Sequence, residues 1–270
     1  MNLKYNLNDK NSFRLGASKT YTLPQAKEIS PYRYVGVNFN SQGNPNLKPS
    51  DNYNLDLKWD FNPTPTELIS LTAFYKLIKN PISRIEVASA GGYLSYENIA
   101  DKATVAGVEI EIRKNLFVRP VSNAAHGMNK LSLGLNGSYI YTNAKMPLAT
   151  VTTGSQLEGA APWIVNFDLS HNFTKGERSF VNTLVLNYVS DKIYTIGTQG
   201  YQDIMEQGVL TLDFVSQAKL NKHLSLNLKA RNLLNPSYKL SRKANENGEK
   251  VILNDYKKGI NISLGVSCTF

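Results

Sequence analysis

Cysteine is almost missing from this chain. Cys268 is the only one in 270 residues, which excludes an internal disulfide framework and any Cys-rich zinc site. Histidine is nearly as scarce. His126, His171 and His223 fall on separate segments without ligand spacing, so no metal site and no cofactor is expected. No apolar stretch reaches the roughly 18 residues of a membrane-spanning helix. Walker A, dinucleotide and G-x-S-x-G signatures are also missing, so no catalytic residue is read here. Charged residues make up only 19% against 41% hydrophobic, a balance that excludes a disordered chain. The formal net charge of +9 comes from scattered rather than blocked basic residues, so no nucleic-acid partner is inferred. The opening Met1-Asn2-Leu3-Lys4-Tyr5 lacks the apolar core of an export signal and reads as the middle of something longer.

What the chain has is alternation. Ile260, Ile262, Leu264, Val266, Cys268 and Phe270 are separated by single small or polar residues, the period of two that marks a strand with one apolar face. The same rhythm runs through Leu224–Ala230, Leu210–Phe214, Phe180–Tyr188, Trp163–Leu169, Leu131–Tyr141, Val108–Ile112, Ile69–Tyr75, Tyr53–Phe61, Phe13–Ala17 and Leu3–Leu7. This predicts about eleven strands, most near the ten residues that cross a bilayer when tilted. Their other faces are too polar for a dry interior: Asn54, Asp56, Lys58 and Asp60 share one, and Glu109, Glu111 and Arg113 share another. Connections alternate between short (Asn8–Asn11, Asn62–Glu67, Thr174–Arg178, Asn221–Lys222) and long (Thr22–Ser50, Glu86–Lys102, Asn143–Ala161, Asp191–Gln207, Asn235–Tyr256). Tight turns on one side and long loops on the other are the pattern of an outer-membrane barrel. Lys114–Asn129 is too long for its side and stands as a departure.

Aromatic placement agrees. Phe13, Trp59, Phe61, Phe173, Phe180 and Phe270 fall on the outward register near the short turns. Tyr21, Tyr53, Tyr75, Tyr139, Tyr141, Trp163 and Tyr188 fall on it near the long loops. Two such bands with aliphatics between them are interfacial girdles. The predicted fold is therefore all-β, an antiparallel transmembrane β-barrel segment. An open sheet edge in lipid leaves N–H and C=O groups without partners, so the segment is expected to belong to a larger barrel. Two other readings are a self-contained small outer-membrane barrel, pore or enzyme, and a soluble all-β ligand-binding module.

The run Gly43-Asn44-Pro45-Asn46-Leu47-Lys48-Pro49-Ser50 resembles the N-P-x-L-(K/R)-P-E signature of TonB-dependent outer-membrane receptors, with Ser50 in place of the usual Glu. Its prolines hold the chain extended ahead of a strand. Leu71-Thr72-Ala73-Phe74-Tyr75-Lys76 with Ile82, then Asn98 and Ala106-Gly107-Val108-Glu109-Ile110-Glu111, is similar to the family's A-x-x-x-G-v-E-x-E strand. Ala230-Arg231-Asn232-Leu233-Leu234-Asn235 resembles its penultimate-strand motif. The ending Ser263-Leu264-Gly265-Val266-Ser267-Cys268-Thr269-Phe270 resembles the terminal membrane-assembly signal, with Ser263, Gly265, Cys268 and Phe270 as its marks.

The resemblance implies the C-terminal half of a 22-stranded barrel of Bacteroidetes type, in the outer membrane of a Gram-negative bacterium, with the plug domain and signal peptide absent from residues 1–270. It implies uptake of a scarce nutrient of unresolved class: siderophore, cobalamin, glycan or peptide. The implied partners are an N-terminal barrel half and plug, TonB–ExbB–ExbD acting through that N-terminal region, the barrel assembly machinery and outer-membrane lipids. From the residues themselves, loop aromatics Tyr32, Tyr34, Tyr93, Tyr96, Tyr194 and Tyr201 are candidates for stacking on a ligand, against the equal option that they pack on one another. Lumen-register Lys4, Arg14, Lys58, Lys76, Arg113, Lys229 and Arg231 are expected to pair with lumenal acids or meet a plug.

Overall fold

The computed structural model describes residues 1–89, 92–121, 127–146, 156–244 and 248–269. In chain order the elements are β1 (Asn2–Asn6), β2 (Asn11–Thr22), the short helix α1 (Ala26–Ile29), β3 (Arg33–Tyr34), β4 (Ser41–Gln42), β5 (Ser50–Phe61), β6 (Leu68–Lys79), β7 (Ile82–Val87) and β8 (Tyr93–Asn98). They continue with β9 (Lys102–Pro120), β10 (Met128–Ala144), β11 (Trp163–Lys175), β12 (Arg178–Val189), β13 (Lys192–Thr195), β14 (Ile204–Glu206) and β15 (Val209–Lys219). The last four are β16 (Leu224–Arg231), β17 (Ser237–Lys243), β18 (Lys250–Lys257) and β19 (Asn261–Cys268).

Eleven of these strands form one antiparallel sheet, ordered β1-β2-β5-β6-β9-β10-β11-β12-β15-β16-β19. Each strand pairs with the next one along the chain in this set, so the sheet is a pure meander. Register puts like with like. Leu15 faces Leu57, Leu57 faces Ala73, and Ala73 faces Val108. Farther along, Leu133 faces Leu169, Leu169 faces Leu184, and Leu184 faces Phe214. At the far end Leu226 faces Val266 and Leu228 faces Leu264.

Burial on this sheet is inverted relative to a soluble fold. Leu57 is 52% exposed, Val108 45% and Leu264 71%, whereas Ser70 is 2% exposed and Asp60 6%. An apolar surface of that extent needs a nonaqueous neighbour. The soluble module, whose apolar rows would be packed inward, does not describe this sheet.

The inner face is held by polar ladders. Asn166 donates to Asn136 Oδ1 at 3.3 Å, and Asn187 donates to Asn166. Ser216 donates to Asn182 at 2.7 Å, and Ser170 shares a 3.1 Å bond with Thr183. Three of the lumenal cations pair as expected: Arg14 and Lys58 with Asp60 at 3.7 and 3.4 Å, and Arg113 with Glu111 at 2.8 Å.

The departure at Lys114–Asn129 has a structural cause. β9 runs on to Pro120, and its pairing with β10 slips between Leu131 and Ser132. Leu133 faces Lys114 but Leu131 faces Phe117, so one extra residue is absorbed and the outward row resumes at Phe117. Strict alternation stops at that bulge, which is why the strand reads as ended. The link to β10 is residues 121–127, of which 122–126, with His126, lie outside the described residues.

The long connections contain most of the remaining structure. β3, β4, β8 and β7 form one four-stranded sheet, and β13, β14, β17 and β18 form another. The stretch from Glu86 to Lys102 is therefore shorter than the real connection, which starts at Asn80 and includes the β7–β8 hairpin. Asn235–Tyr256 likewise contains the β17–β18 hairpin rather than open loop. A dry cluster sits here among the described residues: Ile85, Ile99, Ala100, Ala103, Ala144, Leu157, Ile193 and Ile196. Ile85 bridges to Ile196, tying two connections together.

Candidate functional site

The motif residues act as fasteners for this cap. Asn44 folds its own loop, accepting the Asn46 N–H at 3.0 Å, and donates its amide to the Tyr96 carbonyl at 3.0 Å. Asn98 imitates a strand beside Lys48: its Oδ1 accepts the Lys48 N–H at 2.9 Å and its amide donates to the Lys48 carbonyl at 3.0 Å. The same amide donates to the Asn80 carbonyl at 2.9 Å, which also accepts the Ser50 hydroxyl at 2.7 Å. Gly43 is required by contact, because a Cβ there would land on the Ser30 and Lys27 carbonyls at α1. Gly107 is required by its neighbour, since a Cβ would strike the lumenal Phe74 ring and the Tyr139 carbonyl.

At the other end, Asn232 and Asn235 take positive φ of 58° and 43°, which asparagine tolerates better than most residues. The Asn232 N–H donates to Asp213 Oδ1 at 2.8 Å, and its side-chain amide donates to the Gly259 carbonyl at 2.7 Å. The Gly259 N–H donates to Asn235 Oδ1 at 3.1 Å, closing the base of the last loop.

These fastened loops line a half-open cavity of about 720 Å³. Its aromatic wall is Phe39, Tyr96, Tyr194, Tyr238 and Tyr256, and its cations are Lys27, Arg84 and Lys239. Arg84 lies over the Tyr194 ring at 4.5 Å, and Phe39 is 6.2 Å from the same ring. Tyr238 and Tyr256 stack across β17–β18 at 5.5 Å, with Lys258 over Tyr238 at 3.8 Å. Acids temper the positive charge: Glu158 is 3.6 Å from Arg84, and Asp255 is 3.6 Å from Lys239. Glu158 also accepts the Arg84 N–H at 2.5 Å. Burial lifts the Glu158 carboxyl above the ordinary carboxylate range, against the pull of Arg84. Burial likewise raises the Tyr96 phenol.

Of the six sequence-predicted tyrosines, the fold brings Tyr96 and Tyr194 to this cavity. Tyr34 lies at its edge beside Lys27, 5.3 Å away. Tyr93 rests under Arg33 at 5.0 Å, and Tyr201 under Arg242 at 5.3 Å, so both are engaged within the cap. Tyr32 is 72% exposed and stands apart. Phe39, Tyr238 and Tyr256 are aromatic residues that sequence reasoning missed. The alternation of Tyr238 and Leu240 against Asn254 and Tyr256 was the signal for two of them.

The terminal-signal residues lie on β19: Ser263 opposite Lys229, Gly265 opposite Asn227 and Cys268 opposite Leu224 in the lipid-facing row. Phe270 lies outside the described residues. Two histidines are occupied as hydrogen-bond partners: His171 Nε2 with Asn129 Oδ1 at 2.8 Å, and His223 Nδ1 with the Thr269 carbonyl at 2.7 Å. Among the described residues no group of three or more His, Cys, Asp or Glu side chains is placed to hold a metal ion.

A meander with an apolar outside, a polar inside, aromatic bands at both ends and structured loops on one side defines an outer-membrane β-barrel segment. Residues 1–233 match the family described as TonB dependent receptor-like, beta-barrel, and the chain belongs to that family. Its place is the outer membrane of a Gram-negative bacterium. It is similar to the iron-regulated outer membrane virulence protein of Vibrio cholerae serotype O1, 25% identical over 208 residues. That match covers 73% of this chain and spans only 29% of the Vibrio protein's length.

Solved structures share the fold over the full chain. The ferric enterobactin receptor PfeA of Pseudomonas aeruginosa, in complex with enterobactin, superposes with a TM-score of 0.61 at 16% identity, over 40% of its own chain. The copper transporter OprC gives 0.66 at 13% identity, over 40% of its chain. The ferric yersiniabactin uptake receptor FyuA of Yersinia pestis gives 0.62 at 15% identity, over 36%.

Proposed function

We propose that this chain is the C-terminal barrel portion of an energy-coupled uptake receptor, and that the cap cavity receives an anionic, ring-bearing metal chelate of the siderophore class. The cavity carries the reading: five aromatic rings and three cations converge from four separate connections onto about 720 Å³. Aromatic faces stack on flat ligand rings, and the cations offset negative charge. PfeA, a ferric enterobactin receptor, and FyuA, a ferric yersiniabactin uptake receptor, support the assignment by analogy of fold.

In this reading an N-terminal barrel half pairs with the exposed edges of β1 and β19, and a plug passes the TonB–ExbB–ExbD force to the ligand. The barrel assembly machinery inserts the whole. The open ends of the strand order support this, since two bare edges are untenable in lipid.

The test is ligand binding to the protein in outer-membrane preparations from its native host, read by tyrosine and tryptophan fluorescence. A ferric catecholate is expected to bind, with Tyr194→Ala and Arg84→Ala each weakening binding about tenfold or more. Binding of copper(II) but no ferric catecholate would overturn the assignment.

A further inference from the structure

The cap sheet over the end of the wall is built strand on strand. β12 ends at Val189 and β13 begins at Lys192, while β14 ends at Glu206 and β15 begins at Val209. In the same way β16 leads into β17, and β18 into β19. The wall order β12-β15-β16-β19 and the cap order β13-β14-β17-β18 therefore correspond position by position. Each of these wall strands has its continuation above it, with the same neighbours.

The two edges of this cap sheet differ. β7 closes the β13 edge: the Ile196 N–H donates to the Arg84 carbonyl and the Glu86 N–H to the Ile196 carbonyl, both at 3.0 Å. Among the described residues no strand pairs with the β18 edge. β18 is exposed along its length except at Asn254. Its far half carries Val251, Ile252 and Leu253 in succession, all exposed and none of them lining the cavity. Val251 pairs with Arg242, which Glu86 holds inside the cap, so this trio stands at the level of the cap rather than the bilayer. An eight-residue edge with consecutive apolar side chains in water is a template for another strand. β3, the free edge of the other small sheet, is only two residues long and offers no such template.

Direction selects the occupant. β16–β19 and β17–β18 are successive segments of one antiparallel ribbon, so β18 and β19 run the same way. A strand antiparallel to β19, as every pair in this wall is, stays antiparallel to β18 when it continues past the membrane. A second copy upright in the same membrane would be related by an axis along the membrane normal. It would bring β18 to β18 in parallel, the less stable pairing. Order and direction both point to the strand beyond β19.

We propose that in the assembled receptor the N-terminal barrel strand paired with β19 runs on past the aromatic band and adds to β18, as an extended segment with apolar side chains against Val251, Ile252 and Leu253. The proposal rests on the reading that an N-terminal barrel half completes the wall, and goes beyond it by carrying the seam into the cap. Tyr256 lines the cavity from β18, so the same seam fixes one wall of the ligand site.

The test uses the receptor in outer membranes of its native host, with photoreactive p-benzoylphenylalanine in place of Ile252 on β18 or, separately, of Ile262 on β19, and crosslinks mapped by peptide mass spectrometry. Both positions are expected to reach the N-terminal barrel half. Antiparallel partners keep equal spacing, so the Ile252 crosslink should fall about ten residues C-terminal to the Ile262 crosslink. A crosslink from Ile262 to that half, with Ile252 reaching a second copy, another protein, the plug or nothing, overturns the proposal and leaves the barrel reading standing. Failure of both positions to reach such a half removes both. If the Ile252 variant is not recovered in the membrane, the same photoreactive group at Leu253 decides. As a second measurement, the double variant Ile252→Ser, Leu253→Ser is expected to be cut by trypsin after Lys250 about tenfold faster on intact cells, with heat-modifiable migration unchanged. Equal cleavage rates overturn the proposal.

Discussion

A single side chain on this wall has a value set by which way it points. Leu57 faces outward between Tyr53 and Trp59, while its neighbour Asp56 faces the bore. Leu57→Arg places a charge near the bilayer centre and is expected to cost about 2–4 kcal/mol, whereas Asp56→Asn stays within about 1 kcal/mol. Denaturant titrations in phospholipid vesicles measure both, and equal costs would contradict the assigned facing. This much was legible in the residues, because period two is undisturbed where one face meets lipid and the other water. In the sequence Asn98 reads only as a motif member. Its use as a surrogate strand for Lys48 is a tertiary contact 50 positions away, which no local pattern encodes.

At the level of elements, the wall was readable and the cap was not. Eight of the eleven wall strands show their pattern over 11 or more residues, but β17 and β18 are 7 and 8 residues long and lie in a small separate sheet. Their alternation carries no membrane signature, so Tyr238 and Tyr256 passed as loop. The bulge at Leu116 hid the end of β9 in the same way, by breaking the parity that identified it.

The cap has a pH dependence that belongs to this scale. Glu158 is partly buried beside Arg84, with Glu28 farther off, and its carboxyl holds a proton more tightly than an ordinary carboxylate does. The closed cap keeps that proton at a pH where an opened loop would release it, so protonation favours closure. This contribution is complete below the ordinary carboxylate range and is lost as pH rises through the raised value. Hydrogen exchange at Leu157–Ala161, corrected for intrinsic rates, is expected to show weaker protection at pH 7 than at pH 4. Protection that grows with pH would reverse the sign.

The molecule as a whole is a wall with a folded lid of loops. The resemblance to TonB-dependent receptors was readable from four short motifs because each marks a place where backbone geometry is constrained: the Pro45 and Pro49 approach to β5, Gly107 under Phe74, the positive φ of Asn232 and Asn235, and the ending. The ligand was not readable, because its cavity is assembled from residues as far apart as Lys27 and Tyr256. Assembly of the whole is expected to depend on the C-terminal aromatic. Deleting Phe270 should lower the amount recovered in the outer membrane, and recovery equal to that of the unaltered protein would remove the residue from that role.

The dry knot of Ile85, Leu157, Ile193 and Ile196 draws its members from three different connections. A hinge in any one of them would have to tear that knot, so these three connections are held as one body. Phe39 and Tyr238 stand on two other connections, so substitutions there can reshape the cavity without loosening the knot.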